Sequence, residues 1–192
     1  MAETSSQERD YLPGMGKHYL LPFYDVLHRV SGLRLVHGEM VSLAGLRSGQ
    51  RVLDVGCGTG NLLRSAGKRH RDVELSGVDP DLKMLARAER KLRGLRARLD
   101  KGFAQELAFP DATFDVVFSS LMLHHLDGPS KVEMLAEVRR VLKPGGLFVL
   151  SDIEHHGHAA KGIAESGFIV EQSRTRKLRM FGTVGIEVAR VH

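Results

Sequence analysis

"RVLDVGCGTGN", residues 51–61, is the stretch that decides how this chain folds. Val52, Leu53 and Val55 make a short apolar run, the pattern of a strand covered on both faces. Gly56, Gly58 and Gly60 follow at once. Glycine tolerates positive φ and lets a ligand approach the backbone closely. "GNLLRSAGKRH" then has helical spacing, so the glycines form a strand-to-helix turn. The N-terminus of that helix offers unpaired N–H groups to a carboxylate or phosphate. Asp54 is the odd residue in the run. An acid at the end of a buried strand attracts a cationic group such as an ammonium.

Outward from this stretch, strand and helix signals alternate. "VELSGVD" reads as a strand and "DLKMLARAERKL" as a helix with Asp81 at its start. "LRARLDKG" is a weak strand and "TFDVVFSSL" a strong one. "PSKVEMLAEVRRVL" is a helix stopped by Pro144 and Gly145, and "GGLFVLSD" a further strand. "AAKGIAESG" is a short helix ended by Gly167. "FIVEQSR" and "MFGTVGIEVAR" are close enough in sequence to form a hairpin. Such alternation predicts a parallel sheet with helices on both faces, and ligands bind beyond the carboxyl ends of its strands. Residues 1–10 read as a frayed tail, and residues 11–47 show helical periodicity with Pro22 able to open a helix. The expected division is an N-terminal tail and helical segment over 1–47 and a globular unit over 48–192.

The composition is globular, and the 192 residues suffice for one domain with a real core. The net charge of +5 comes from clusters at "KRHR" (68–71), "KLRGLRARLDK" (91–101) and "RTRK" (174–177). No aromatics interleave with them as a base-stacking platform requires, so they read as a solvated surface rather than a nucleic-acid site. The single cysteine, Cys57, excludes an intrachain disulfide and a thiolate metal cluster. No apolar run approaches the roughly eighteen residues of a membrane span. "MAETSSQERD" lacks the apolar segment of a signal peptide, so a cytoplasmic location is expected.

The glycine spacing narrows the ligand. Dinucleotide sites use G-x-G-x-x-G; here it is G-x-G-x-G, with Asn61 where the third glycine would stand. The Lys-Ser/Thr pair of a P-loop is also missing. A ligand bearing both an amine and a carboxylate fits the loop and Asp54 better than a dinucleotide does. Asp79, nineteen residues after Gly60 in "SGVDP", is placed to take both hydroxyls of a ribose. The ligand therefore joins an amino-acid end to a ribose.

With these residues in place, the sequence resembles the class I S-adenosylmethionine-dependent methyltransferases, of the type acting on small molecules and including quinone-biosynthesis enzymes. "VLDVGCGTGN", "GVDPDLKML", "FAQELAFPDATFDVVFSSLMLHHL" and "LAEVRRVLKPGGLFVLSD" carry the resemblance, in the family's order and spacing. It implies a Rossmann-like α/β fold: a seven-stranded, mostly parallel sheet with helices on both faces and the last strand antiparallel. It implies S-adenosyl-L-methionine as cofactor and S-adenosyl-L-homocysteine as product. The backbone of Gly56, Cys57 and Gly58 would lie against the methionyl and ribose parts. Asp54 would attract the amino group and Asp79 the ribose hydroxyls, with Pro80 and Met84 near the adenine; Met84 reads equally as an ordinary core methionine. The family often carries an acid before the alanine of "KGFAQEL", where this chain has Phe103. Backbone groups of Phe103 and Ala104 with ring packing would then serve the adenine, or Gln105 or Glu106 would. Ser119 to His125 should border both cofactor and acceptor.

Histidine is the natural base near neutral pH, so His124 and His125 are the candidate catalytic residues, one of them expected to pack or cap instead. Cys57 reads as a small residue in a tight space, since methyl transfer from a sulfonium needs no enzyme nucleophile. No metal is expected at His155, His156 and His158 in "EHHGHAA", because adjacent histidines in a glycine loop rarely aim at one ion. Tyr11, His18, Tyr19 and Tyr24 are the candidate lid over the cofactor and acceptor pocket, on a segment that could also pair two copies as a homodimer. The expected activity is methyl transfer to O, N or C of a small molecule. The alternatives are a non-catalytic binding module and a methyltransferase acting on a macromolecule.

Overall fold

In the computed structural model, residues 31–154 and 158–191 are described. The candidate lid residues Tyr11, His18, Tyr19 and Tyr24, together with Pro22, His155 and His156, lie outside them, as does the side chain of His158.

Seven strands form one sheet in the order β3-β2-β1-β4-β5-β7-β6. They are β1 (Arg51–Val55), β2 (Glu74–Asp79), β3 (Ala97–Lys101), β4 (Phe114–Ser120), β5 (Leu142–Ile153), β6 (Ile169–Leu178) and β7 (Gly182–Arg190). β7 runs antiparallel to both β5 and β6, while the β1–β2, β1–β4, β2–β3 and β4–β5 pairs are parallel. The expected Rossmann-like α/β sheet is therefore present, and the strand that closes the hairpin is inserted between β5 and β6.

Helices α1 (Leu33–Ala44), α2 (Asn61–Arg69) and α3 (Leu82–Lys91) send Val36, Met40, Leu62, Leu63, Leu85 and Ala88 into one core, against Val52, Val116 and Val149 of the sheet. Helices α4 (Gly128–Val141) and α5 (His158–Glu165) cover the other face, over Leu53, Val117, Phe148 and Leu150. Successive strand residues alternate between the two cores, as a pleated strand buried on both faces demands.

Local signals explain most boundaries. The Asp81 carboxylate accepts the Lys83 and Met84 N–H groups and caps α3. Asp127 does the same for Ser130 in α4. Some boundaries differ from the sequence reading, as where β6 runs on to Leu178 beyond "FIVEQSR". The chain leaves α4 after Val141 and enters β5 at Leu142, before Pro144 and Gly145. Leu142 is itself buried and pairs with Phe114, and the pairing then shifts register before Val116 meets Leu147. Tertiary pairing thus wins over the Pro-Gly stop signal and carries strand geometry to the helix end.

Candidate functional site

β1 ends in the core, and the next residues leave it by a tight path. Gly56, Gly58 and Gly60 have φ of 74°, 51° and 73°, all in the left-handed region. The Gly56 and Cys57 N–H groups both donate to the Val78 carbonyl, at 2.9 and 3.0 Å. A Cβ on Gly56 would lie 2.5 Å from Met122 Cγ, while one on Gly58 would meet nothing within 4 Å. The first glycine is thus needed for packing, and the second leaves an open backbone surface.

Asp54 is buried, and its Oδ1 has no hydrogen-bond partner. Burial, with the nearby Asp79 carboxylate adding to it, pushes its pKa up to about 8. A buried carboxyl without a partner is costly unless a cation meets it. Asp79 Oδ2 accepts the Gly58 N–H at 2.8 Å and its Oδ1 accepts the Asp81 N–H at 2.9 Å. These bonds tie the glycine loop to the start of α3 and leave each oxygen a further lone pair. Burial raises the Asp79 pKa as well, opposed by the two backbone N–H groups.

Asp54, Gly56, Cys57 and Gly58 line one pocket together with His37 and Ser120. His37 comes from α1, is buried, and its Nε2 lies 3.1 Å from Ser120 Oγ. Behind the loop, the Lys91 ammonium donates to Thr59 Oγ1 at 2.8 Å and to Asn61 Oδ1 at 2.7 Å, pinning the first turn of α2 to α3. Pro80 and Met84 are half-buried beside the start of α3. Phe103 and Ala104 follow β3, with Ala104 buried in the second core. Ser119 is fully buried, and its hydroxyl donates to the Val55 carbonyl at 3.0 Å. Its side chain therefore joins β4 to the end of β1, and Ser120, one residue on, lines the pocket instead.

The Cys57 thiol is buried, and burial followed by the Asp54 and Asp79 charges raises its pKa well above the ordinary value. Such a thiol stays protonated and is a poor nucleophile. Its sulfur fits where a Cβ on Gly77 would come within 2.9 Å, the tight packing expected of it.

The loop after β4 holds the histidine pair. Leu121 has φ of 53°, which a branched side chain seldom adopts and which marks a strained turn. A 3₁₀ turn over Leu123–His125 then presents both rings, with centroids 4.0 Å apart. His124 Nδ1 lies 2.5 Å from Asp152 Oδ1, and the His124 N–H donates to Asp152 Oδ2 at 2.9 Å. Asp152 sits near the end of β5 and is buried. A carboxylate on Nδ1 fixes the ring orientation and leaves Nε2 as the acceptor of the neutral imidazole. His125 is held below the ordinary histidine value by partial burial and by His124 beside it. Among the described residues, no three His, Cys, Asp or Glu side chains are grouped to hold a metal ion.

Two residues of the site escaped the sequence reading: Asp152, beside His124, and His37, in the pocket. Asp152 had a signal, an acid at the carboxyl end of a strand. Ser120 lay within the expected stretch Ser119 to His125, and the pleat gives the pocket to it rather than to Ser119. Nothing in the sequence shows that α1 turns His37 toward β4.

The family model described as "Methyltransferase domain" matches residues 52–146. The chain is 32% identical over 150 residues to a demethylmenaquinone methyltransferase of Thermus thermophilus, covering 75% of this chain and 67% of that one. It is 32% identical over 155 residues to the 27-O-demethylrifamycin SV methyltransferase of Amycolatopsis mediterranei, covering 68% and 55%. The chain spans about half the length of the latter and of similar curated relatives. A solved S-adenosylmethionine-dependent methyltransferase from Mesorhizobium loti shares the fold, with a TM-score of 0.67 at 20% identity over 81% of this chain and 96% of the other.

Proposed function

Because this chain belongs to the methyltransferase-domain family, we propose that it moves a methyl group from S-adenosylmethionine to a small molecule that gives up a proton. When bound, the cofactor supplies an electrophilic methyl on a sulfonium, and its remainder is S-adenosylhomocysteine. The observation that carries the reading is Asp54. A fully buried carboxyl with an unpartnered oxygen, beside a loop of left-handed glycines, suits a ligand that brings an ammonium. Asp79, with a lone pair left on each oxygen, suits the ribose hydroxyls, and the open face of Gly58 leaves room between the two.

His124 Nε2 would take the proton that the acceptor gives up as it gains the methyl the cofactor would supply. Asp152 holds Nδ1–H and stabilises the imidazolium that results. Alignment in a closed site supplies much of the remaining rate. The relatives named for small-molecule acceptors support the same acceptor class here. The absence of an apolar helix long enough to span a bilayer among the described residues is consistent with an enzyme that acts from the aqueous side.

Calorimetry with S-adenosylhomocysteine and NAD tests the cofactor, and mass spectrometry of an acceptor panel tests the transfer. Binding of the former with little of the latter, and a gain of one methyl on a small acceptor, is expected. Asp152→Asn should lower kcat by roughly a hundredfold or more while leaving cofactor affinity within about twofold, as for loss of an oriented base. Tight NAD binding without S-adenosylhomocysteine binding would sink the reading.

A further inference from the structure

We propose that the outer face of the α1–α2–α3 layer docks on an anionic lipid bilayer. The three helices lie side by side on one face of the sheet: the Arg69 guanidinium of α2 lies over Gly38 of α1, and Gly60 at the start of α2 packs against Ala88 and Leu92. Their charge is lopsided. α1, α2 and α3 together carry eight Lys or Arg against two acids, whereas α4 and α5 on the opposite face carry four against three. Of the two helical layers, this one thus carries most of the excess positive charge.

Helical spacing decides which of these side chains point away from the sheet. Leu62, Leu63 and Ala66 of α2 and Leu85 and Ala88 of α3 face the core, so Arg64, Lys68, Lys83 and Arg90 stand on the opposite, exposed side. In α1 the inward residues include Leu33, Val36 and Met40, and Leu35, 69% exposed, faces outward with Arg34 and Ser42 also exposed. Leu82, at the first position of α3, is 61% exposed. The layer therefore presents several cations with two protruding leucines.

Nucleic acid and bilayer both offer phosphates to such a face. The leucines separate them, because only the bilayer has an apolar phase to receive a protruding aliphatic side chain. None of the outward residues named has an aromatic side chain on which bases stack. Polybasic faces gain affinity for anionic leaflets additively with each cation and lose it with salt. Leu82 and Lys83 follow Asp79 and Pro80 by a few residues, so docking would bring the rim of the ligand pocket to the lipid surface.

Sedimentation with phosphatidylcholine vesicles, with and without phosphatidylglycerol, tests this on the full chain, alongside retention of a duplex DNA oligonucleotide. The expected result is binding only to the phosphatidylglycerol vesicles, weakened by salt. A Lys68→Glu, Arg90→Glu double variant should lower the partition coefficient about tenfold or more, and Leu35→Ser several-fold. S-adenosylhomocysteine binding and thermal melting serve as folding controls, since none of these positions lines the pocket. No binding to anionic vesicles at low salt overturns the proposal. So does vesicle binding that ignores both variants, and so does DNA binding that is tighter than vesicle binding and indifferent to Leu35→Ser.

Discussion

Asp54 concentrates the energetics of the site in one side chain. Its carboxyl is raised from an ordinary 3.8 to about 8 by burial and by Asp79. The folded protein thus holds a proton that the unfolded chain releases above about pH 4, and the folded state loses stability as pH rises between those two values. Asp54→Asn removes that dependence. The variant should match the parent near pH 4 and be more stable at pH 8, by on the order of 5 kcal/mol, in urea melts at the two pH values. A ligand ammonium favours the charged carboxyl, so binding of S-adenosylhomocysteine should release a proton and tighten from pH 6 to 8. Calorimetry in buffers of differing ionisation enthalpy reads that proton directly. Asp54→Asn should lose the pH dependence and bind at least about tenfold more weakly, as loss of a charged hydrogen bond predicts. A stabilised variant that binds as before would place the ammonium elsewhere.

The strand–turn–helix from β1 to α2 shows how far local sequence reaches. Its three glycines and the acids Asp54 and Asp79 were legible because each residue type has one physical reason to stand there: positive φ, close approach, or charge at a strand end. Spacing alone does not give their individual tasks. Gly56→Ala places a Cβ 2.5 Å from Met122 Cγ in a left-handed residue and should destabilise the fold by about 2–4 kcal/mol. Gly58→Ala meets nothing within 4 Å, so thermal melting should show only the left-handed cost of about 1 kcal/mol, while S-adenosylhomocysteine affinity collapses. Equal losses of stability in the two variants would mean the loop rearranges freely. His37 and the His124–Asp152 pair were harder to read. Their partners, Ser120 and Asp152, lie 83 and 28 residues away, and only the assembled sheet brings them together. The early end of α4 had the same origin, since Leu142 pairs with Phe114 before the Pro-Gly signal can act.

Across the molecule, stability is not evenly distributed. β1 and β4 are each flanked by strands on both sides and covered by both helical layers. β6 is an edge strand, exposed over Glu171–Lys177, bound to the sheet by β7 and to α1 by Arg174 and Arg176 on Glu39. Exposed ion pairs add little. Hydrogen exchange should therefore show β6 opening well before β1 and β4, with amides of β4 exchanging only through global unfolding. Exchange of β6 as slow as that of β4 would point to a cover on the edge strand. The strand order also has a consequence for synthesis. β6 has no neighbour but β7, and β5 lacks its outer partner until β7 is in place. A nascent chain therefore carries the apolar edge of "LFVL" unpaired until residues 182–190 leave the ribosome. A nonsense codon ahead of them would yield a polypeptide with the whole glycine loop and both catalytic candidates, yet one prone to clump edge to edge before it could bind anything.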